Sequence, residues 1–203
     1  MSLTIDYYFA PQSPWTYLGH QRFADMARAA GASVNLLPMD LGKVFPVSGG
    51  LPLPKRAPQR QAYRLVELKR FSEWLQLPLT LQPKHFPVPG DNAARLIIAT
   101  NLQQGSDAAM RLAGTVMGAV WAEQLNIDDA ATLLELLRRC ALPAALRDAA
   151  QSPEVQARYD AATQQAIDAG IFGAPSYVID GEMFWGQDRL DFVERRLASI
   201  KRA

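Results

Sequence analysis

Segments with a β-strand pattern lie only near the two ends of this 203-residue chain, and this distribution constrains the fold more than any other feature. Residues 3–9 are rich in aromatic and branched side chains, and residues 33–38 form a second such run. Between them, Ser13-Pro14 is typical of a helix start, and apolar residues recur at helical spacing up to Gly31. A strand, a helical crossover and another strand predict a right-handed, parallel βαβ unit.

The C-terminal part of the chain is predicted to form a hairpin followed by a helix. Residues 176–179 and 182–185 are rich in β-forming side chains, and Asp180-Gly181 between them favours a tight type I′ turn. Residues 188–200 then carry apolar side chains at helical spacing. The pattern therefore predicts a ββα unit.

The middle of the chain is predicted to be helical. Residues 40–58, rich in glycine and proline, indicate a long irregular connection, and residues 61–153 contain no strand candidate. The candidate N-caps in this region are Asp91, Ser106 or Asp107, Asp128 or Asp129, and Ser152.

The order βαβ, helices, ββα is typical of one α/β architecture, a thioredoxin-like fold with a large all-helical domain inserted between its two halves. We assign residues 1–42 and 171–203 to the thioredoxin-like domain. Residues 43–170 then form the helical insertion domain and its connecting loop.

Composition excludes several other classes of protein. With 49% apolar residues, 20% charged residues and a net charge of +1, the chain is typical of a soluble globular protein and not of a disordered or nucleic-acid-coating one. No apolar stretch approaches the roughly 20 residues of a membrane span. The N-terminus lacks the basic and apolar segments of a secretory signal. We therefore expect a cytoplasmic protein that binds neither nucleic acid nor membrane.

Cysteine and histidine are too scarce for most redox or metal chemistry. Cys140 is the single cysteine, so the chain has no intramolecular disulfide, no CxxC pair and no zinc cluster. Its leucine-rich surroundings predict a small buried side chain and not a nucleophile. His20 is expected to be a surface or packing residue, and His85 lies in a proline-rich loop.

Ser13 has a structural and a functional interpretation. As an N-cap it contributes about 1 kcal/mol to stability. A helix N-terminus also favours an anion such as a thiolate, to which a serine hydroxyl can donate a hydrogen bond. The two roles do not exclude each other. A Ser-His-Asp triad is excluded, because His20 lies about two turns further along the same helix.

Pro175 also has two interpretations. Most X-Pro bonds are trans, and a proline can simply begin a strand. In the thioredoxin arrangement, however, the proline before the third strand is cis, and the preceding backbone, here that of Ala174, pairs with an extended peptide. We expect Pro175 to be cis.

The chain resembles the 2-hydroxychromene-2-carboxylate isomerases, which are grouped with the kappa-class glutathione transferases in the disulfide-oxidase-like branch of thioredoxin folds. The resemblance covers essentially the whole chain. The segments that carry it are residues 6–9, 13–18, 63–70, 172–176 and 180–190, of which the last two are the most specific.

This resemblance implies a cleft that binds glutathione as cofactor, with its thiol at Ser13, its cysteinyl part on the backbone of Ala174 and its γ-glutamyl end on residues 186–188. Arg60 stands where relatives use a lysine for the glycyl carboxylate. The implied cofactor-binding residues are Ser13, Trp15, Arg60, Ala174, Pro175, Gln187 and Asp188, of which Ser13 is also catalytic. The resemblance further implies a homodimer.

Some positions depart from the family pattern or allow another interpretation. Gly50 replaces an asparagine that relatives commonly carry, so one polar contact is missing. Asp188 could instead cap the last helix. Four aromatic residues are candidate walls of the substrate pocket, although aromatic residues near the core of a fold more often serve packing: Trp15, Tyr17, Phe45 and Trp185.

The family reaction is the isomerisation of 2-hydroxychromene-2-carboxylate to trans-o-hydroxybenzylidenepyruvate in aromatic hydrocarbon catabolism, through transient addition of a glutathione thiolate. This small aromatic acid is the expected substrate. Two alternatives stay open at this point: a kappa-like glutathione transferase or peroxidase, and a non-catalytic thiol-binding thioredoxin-like module. Disulfide exchange at this site is excluded, because Ser13 and Thr16 occupy both redox positions.

Overall fold

The computed structural model describes residues 3–200 and contains the predicted βαβ unit. Strands β1 (Thr4–Phe9) and β2 (Ser33–Pro38) pair in parallel, and helix α1 (Pro14–Ala30) crosses between them. Ser13 is the N-cap of α1, and Gly31 ends it with a left-handed φ of 66°. The predicted start and end of this helix are confirmed.

The predicted hairpin is also present. Strands β3 (Ser176–Ile179) and β4 (Glu182–Trp185) pair antiparallel, and β3 pairs antiparallel with β1, which gives the sheet order β2-β1-β3-β4. Asp180 and Gly181 have φ angles of 50° and 79°, both positive as a type I′ turn requires. The fold is thus the expected thioredoxin-like one.

Seven helices lie between β2 and β3, and the structure describes no strand there. In chain order they are α2 (Leu41–Ser48), α3 (Pro58–Leu75), α4 (Asp91–Gln104), α5 (Ser106–Trp121), α6 (Ala130–Arg139), α7 (Leu146–Ala149) and α8 (Pro153–Asp168). Helix α9 (Leu190–Ile200) follows the hairpin.

The expectation that residues 40–58 are wholly irregular is wrong. The Asp40 carboxylate accepts a hydrogen bond from the N–H of Gly42 at 2.7 Å and starts α2, whose Val44 is fully buried in a core shared with α8. A short 3₁₀ turn at Leu53–Lys55 follows. The cap at Asp40 and the burial of Val44 stabilise a helix here despite the glycine and proline residues of this segment.

Two of the predicted caps are displaced by one residue. Helices α4 and α5 begin after Gly90 and Gly105, so Asp91 and Ser106 are their first residues and not their caps. The Asp91 carboxylate instead accepts a hydrogen bond from the Tyr159 hydroxyl at 2.8 Å. The caps at Asp129 and Ser152 are confirmed.

The two faces of the sheet contribute to different cores. Ile5, Tyr7 and Phe9 of β1 belong to the main core, which continues into α1, α4 and α5, while Tyr8 and Ala10 belong to the smaller one with α2 and α8. This alternation follows from the two-residue period of a strand.

Helix α8, which we assigned to the helical insertion, packs against β2 of the predicted thioredoxin-like part, and α2 spans the predicted boundary at residue 42. That division stays a prediction, and its residues 1, 2 and 201–203 lie outside the described residues. Within residues 3–200 no helix is both long and apolar enough to cross a bilayer.

Candidate active site

A cleft of about 570 Å³ lies between α3 and the segment that follows β4. The structure brings five of the predicted site residues to its lining, namely Trp15, Arg60, Ala174, Gln187 and Asp188. Ser13 and Pro175 are buried and do not line the cleft themselves, but they are close in sequence to its lining residues Trp15 and Ala174. The predicted residues therefore converge on one region of the fold.

Ser13 lies at the N-terminus of α1, close to this cleft. Its Oγ accepts a hydrogen bond from the N–H of Thr16 at 3.3 Å, and the residue is 8% exposed. A serine oxygen that accepts one hydrogen bond still has its own hydrogen to donate. The buried Thr16 Oγ1 has no partner within the described residues. The first N–H groups of a helix also lack intrahelical acceptors, so several donors meet here.

The second side of the site is the turn at Ala174-Pro175. This peptide bond is cis, as expected. The Pro175 carbonyl accepts a hydrogen bond from the N–H of Gly186 at 2.9 Å, which joins the turn to the end of β4. The Trp185 indole packs so closely on Gly173 that a Cβ at this position would overlap with it. This close packing fixes the backbone beside Ala174.

Gln187 is held in one orientation by Arg22, a residue that sequence analysis missed. The Arg22 guanidinium donates to Gln187 Oε1 and to the Gln187 carbonyl, both at 3.2 Å, and lies 5.8 Å from the Trp74 ring centroid. Because a guanidinium only donates, the amide must turn its oxygen towards Arg22. Gln187 Nε2 remains buried without a described partner. No sequence pattern marks Arg22, since its partner is 165 residues away.

Asp188 lies at the exposed rim of the cleft. Its carboxylate forms an ion pair with Arg189 at 2.6 Å. The interpretation of Asp188 as the cap of the last helix is wrong, because residues Gln187–Arg189 form a 3₁₀ turn without side-chain capping before α9 begins.

The α3 side of the cleft is rich in arginine. Arg60 and Arg64 lie one turn apart on this helix, and Arg56 precedes it. Burial, and secondly Arg56, lower the pKa of Arg64 to about 10. The pKa of Arg56 is also lowered, by burial and secondly by Arg60. Sequence analysis found only Arg60, although the four-residue spacing of Arg60 and Arg64 within α3 indicates a shared helix face.

Other residues considered from the sequence lie elsewhere. The Tyr17 hydroxyl donates to the Pro78 carbonyl at 2.7 Å, and Tyr17 lines a separate groove along α1. Phe45 packs against Gly50, where a Cβ would overlap with its ring. Cys140 lines the same groove as Tyr17 and is half-buried, not fully buried as expected.

The two histidines take no part in the cleft. His20 is buried and hydrogen-bonded to Tyr7 and to the Met110 carbonyl, which confirms a packing role. His85 is exposed in its loop. Among residues 3–200, no cluster of His, Cys, Asp and Glu could hold a metal ion.

Comparison with known proteins gives matches over nearly the whole chain. A family model described as a DSBA-like thioredoxin domain matches residues 4–198. The 2-hydroxychromene-2-carboxylate isomerase of Sphingobium xenophagum is 31% identical over 199 residues, which are 97% of this chain and 99% of that protein. The glutathione S-transferase kappa 1 of Caenorhabditis elegans is 24% identical, over 93% of this chain and 88% of that protein.

The structural comparison agrees with the sequence comparison. A solved structure of a 2-hydroxychromene-2-carboxylate isomerase superposes with a TM-score of 0.81 at 26% identity, over 98% of this chain and 96% of that one. The chain therefore belongs to the family of DSBA-like thioredoxin domains, in the group that includes the 2-hydroxychromene-2-carboxylate isomerases.

Proposed function

We propose that this protein is a glutathione-dependent isomerase that converts 2-hydroxychromene-2-carboxylate to trans-o-hydroxybenzylidenepyruvate in aromatic hydrocarbon catabolism. The observation that carries this proposal is Ser13. It caps α1 beside a cleft, in a chain that aligns over nearly its whole length with a protein named as this isomerase. A serine here cannot exchange disulfides, but it can stabilise the thiolate of a bound thiol.

When bound, glutathione supplies a thiolate that adds reversibly to the conjugated ring compound and is released unchanged. The Ser13 hydroxyl donates a hydrogen bond to this sulfur, next to the positive end of the α1 dipole. An unperturbed thiol has a pKa of about 8.5, so lowering it by about two units, roughly 2.7 kcal/mol, makes the thiol mostly ionised at neutral pH.

The other lining residues fit a small peptide with two carboxylates. A volume of about 570 Å³ is within the range of small-ligand sites. Ala174 offers its backbone to the cysteinyl part, and the unpartnered Nε2 of Gln187 is a donor for the γ-glutamyl end, beside Asp188. Arg60 offers a planar guanidinium to the glycyl carboxylate. Trp15 and Trp185 are walls for a flat substrate.

Two further properties belong to the proposal. A glutathione-dependent enzyme without disulfides suits the reducing cytoplasm. We also expect a homodimer, as the family resemblance implies.

A kappa-like glutathione transferase or peroxidase is the second candidate, supported by the 24% identical Caenorhabditis elegans relative. Both activities use the same thiolate, so Ser13 does not separate them. They differ in the electrophile, since a transferase consumes glutathione whereas an isomerase regenerates it.

The test measures turnover of 2-hydroxychromene-2-carboxylate by its change in absorbance, with and without glutathione. We expect turnover that requires glutathione without consuming it, and none with S-methylglutathione, which lacks a free thiol. Faster reaction with 1-chloro-2,4-dinitrobenzene or a hydroperoxide would favour the second candidate. Reduction of insulin disulfides that survives Cys140→Ala would contradict both.

A further inference from the structure

Arg64 is a half-buried cation without an anionic partner. Its guanidinium forms no hydrogen bond or ion pair with any residue in the described range 3–200, and the guanidinium carbon lies 5.3 Å from the Phe86 ring centroid and 5.7 Å from that of Trp121. Trp121 is fully buried, so this contact holds the guanidinium against the helical core. The charge is fixed in place without being neutralised.

The carboxylates that line the cleft are already engaged. Glu67, one turn along α3 from Arg64, accepts a hydrogen bond from Arg70 at 2.7 Å. Asp188, on the other wall, pairs with Arg189 at 2.6 Å. Since these are the two acidic residues of the described lining, no side chain of the cleft neutralises Arg64.

The surroundings of Arg64 combine this charge with flat apolar surface. Phe71 lies two turns further on the same face of α3 and also lines the cleft, where its ring meets that of Trp15 edge to face at 6.0 Å. Burial lowers the pKa of Arg64 to about 10, so the group remains charged at neutral pH although its surroundings disfavour the charge. An anionic ligand would relieve this penalty.

We propose that Arg64 is a substrate-specificity residue, which binds the carboxylate of an aromatic acid whose ring lies against Trp15 and Phe71. This inference rests on the proposed function and names the group that recognises the acidic substrate. Arg60 is more exposed and lies one turn nearer the start of α3, where it remains available to bind the glycyl carboxylate of glutathione. A guanidinium can engage a carboxylate through two parallel hydrogen bonds, which orients the ring as well as binding it.

The test compares two ligands of nearly the same shape, one anionic and one neutral. Chroman-2-carboxylate is a saturated analogue that cannot add a thiol, and chroman-2-carboxamide is its neutral counterpart. Calorimetry with saturating glutathione gives the affinity of each. We expect the wild-type protein to prefer the acid by about 10- to 100-fold, as for loss of hydrogen bonds to a charged group. In Arg64→Gln the ratio of the two affinities should fall to about one, and in Arg64→Lys it should fall to an intermediate value.

Two controls separate this role from a structural one. Lys69→Gln removes a cation from the same helix, where both Lys69 and its partner Glu73 lie outside the lining, and should leave the preference unchanged. The affinity for glutathione alone should also be unchanged in Arg64→Gln. Because the preference is a ratio measured on one variant, partial loss of fold does not imitate its loss.

An undiminished preference for the acid in Arg64→Gln would overturn the inference, as would an equal loss of glutathione affinity. Absence of any acid binding by the wild-type protein would overturn it too. Preference for the acid that depends on Arg64, in a protein that does not turn over 2-hydroxychromene-2-carboxylate, would support Arg64 as an acid-binding residue and reject the isomerase.

Discussion

At the scale of single residues, the hydrogen bonds of Ser13 determine what the site can do. Its oxygen is used by the N–H of Thr16, and its hydrogen is free for a bound sulfur. The cap acts on the stability of the fold and the donated bond acts on the thiol. Substitutions can therefore separate the two roles.

We expect Ser13→Ala to lower the free energy of unfolding by about 1 kcal/mol and turnover by about ten- to a thousandfold, because it removes both the cap and the donor. Ser13→Asn keeps a capping side chain, so stability should largely survive while turnover falls. Urea unfolding measures the first effect. A pH titration of the thiolate absorbance of bound glutathione measures the second. If the apparent pKa of the bound thiol is unchanged in Ser13→Ala, Ser13 acts only as an N-cap.

His20 is the second residue whose bonds permit a prediction. Its Nε2 lies 2.9 Å from the Met110 carbonyl, which can only accept, so Nε2 carries the hydrogen and Nδ1 accepts from the Tyr7 hydroxyl at 3.1 Å. The neutral ring is thus fully satisfied. Burial lowers the pKa of His20 to about 4, against its usual value of 6.5.

Because the unfolded chain binds this proton near pH 6.5 and the folded chain only near 4, the contribution of His20 to stability is present above pH 6.5. It is lost as the pH falls from 6.5 to 4, by about 3 kcal/mol. His20→Gln can make both hydrogen bonds without titrating, so its stability should fall less in this window. Urea unfolding at several pH values measures the difference, and the exposed His85→Gln should behave like the wild-type protein.

At the scale of secondary structure elements, the closeness of α1 to the segment after β4 positions Gln187. This closeness depends on Gly19. A Cβ at Gly19 would lie 2.8 Å from Gln187 Cβ and 3.1 Å from the Tyr177 hydroxyl. The contact involves the base of the Gln187 side chain, so it cannot be relieved by a rotation of a flexible end.

We therefore expect Gly19→Ala to destabilise the fold by about 1–3 kcal/mol, although alanine is the better helix former. It should also weaken glutathione binding, because Gln187 must move. Gly118→Ala in α5 is the matched control, since its nearest neighbour would be Tyr17 Cε2 at 4.0 Å. That variant should gain up to about 1 kcal/mol. Thermal melts measure the change in stability, and calorimetry measures the change in glutathione affinity. Equal effects of the two substitutions would contradict the steric argument.

At the scale of the whole molecule, the cleft lies between α3 on one side and, on the other, the start of α1 and the segment that follows β4. A ligand that contacts both sides binds the folded chain and not the unfolded one. Such a ligand must raise the free energy of unfolding.

Glutathione at one hundred times its dissociation constant should add about 2.7 kcal/mol to stability. Thermal melts over increasing millimolar glutathione measure this shift, and ophthalmic acid, which replaces the thiol by a methyl group, shows how much of it the sulfur provides. A melting temperature that does not rise at any concentration would reject every glutathione-based function.

The sequence by itself determined the features that depend on neighbouring residues. Helix α1 begins at Ser13-Pro14 and ends at Gly31, and the hairpin turn is formed by Asp180-Gly181. These features could be predicted because the hydrogen bonds of caps and tight turns are made within a few residues of chain. The order of these local elements was enough to predict the thioredoxin-like fold, and the resemblance indicated most of the cleft.

Only the tertiary structure decided the features that depend on distant partners. Arg22 orients Gln187 across 165 residues of chain. Arg64 is positioned by Phe86 and Trp121, and its pKa is lowered by burial and secondly by Arg56. Neither residue differs locally from an ordinary helix-surface arginine. Their chemistry comes from desolvation and from contacts that exist only after α1 has packed on the turn that follows β4 and α3 has packed on Phe86 and on Trp121 of α5.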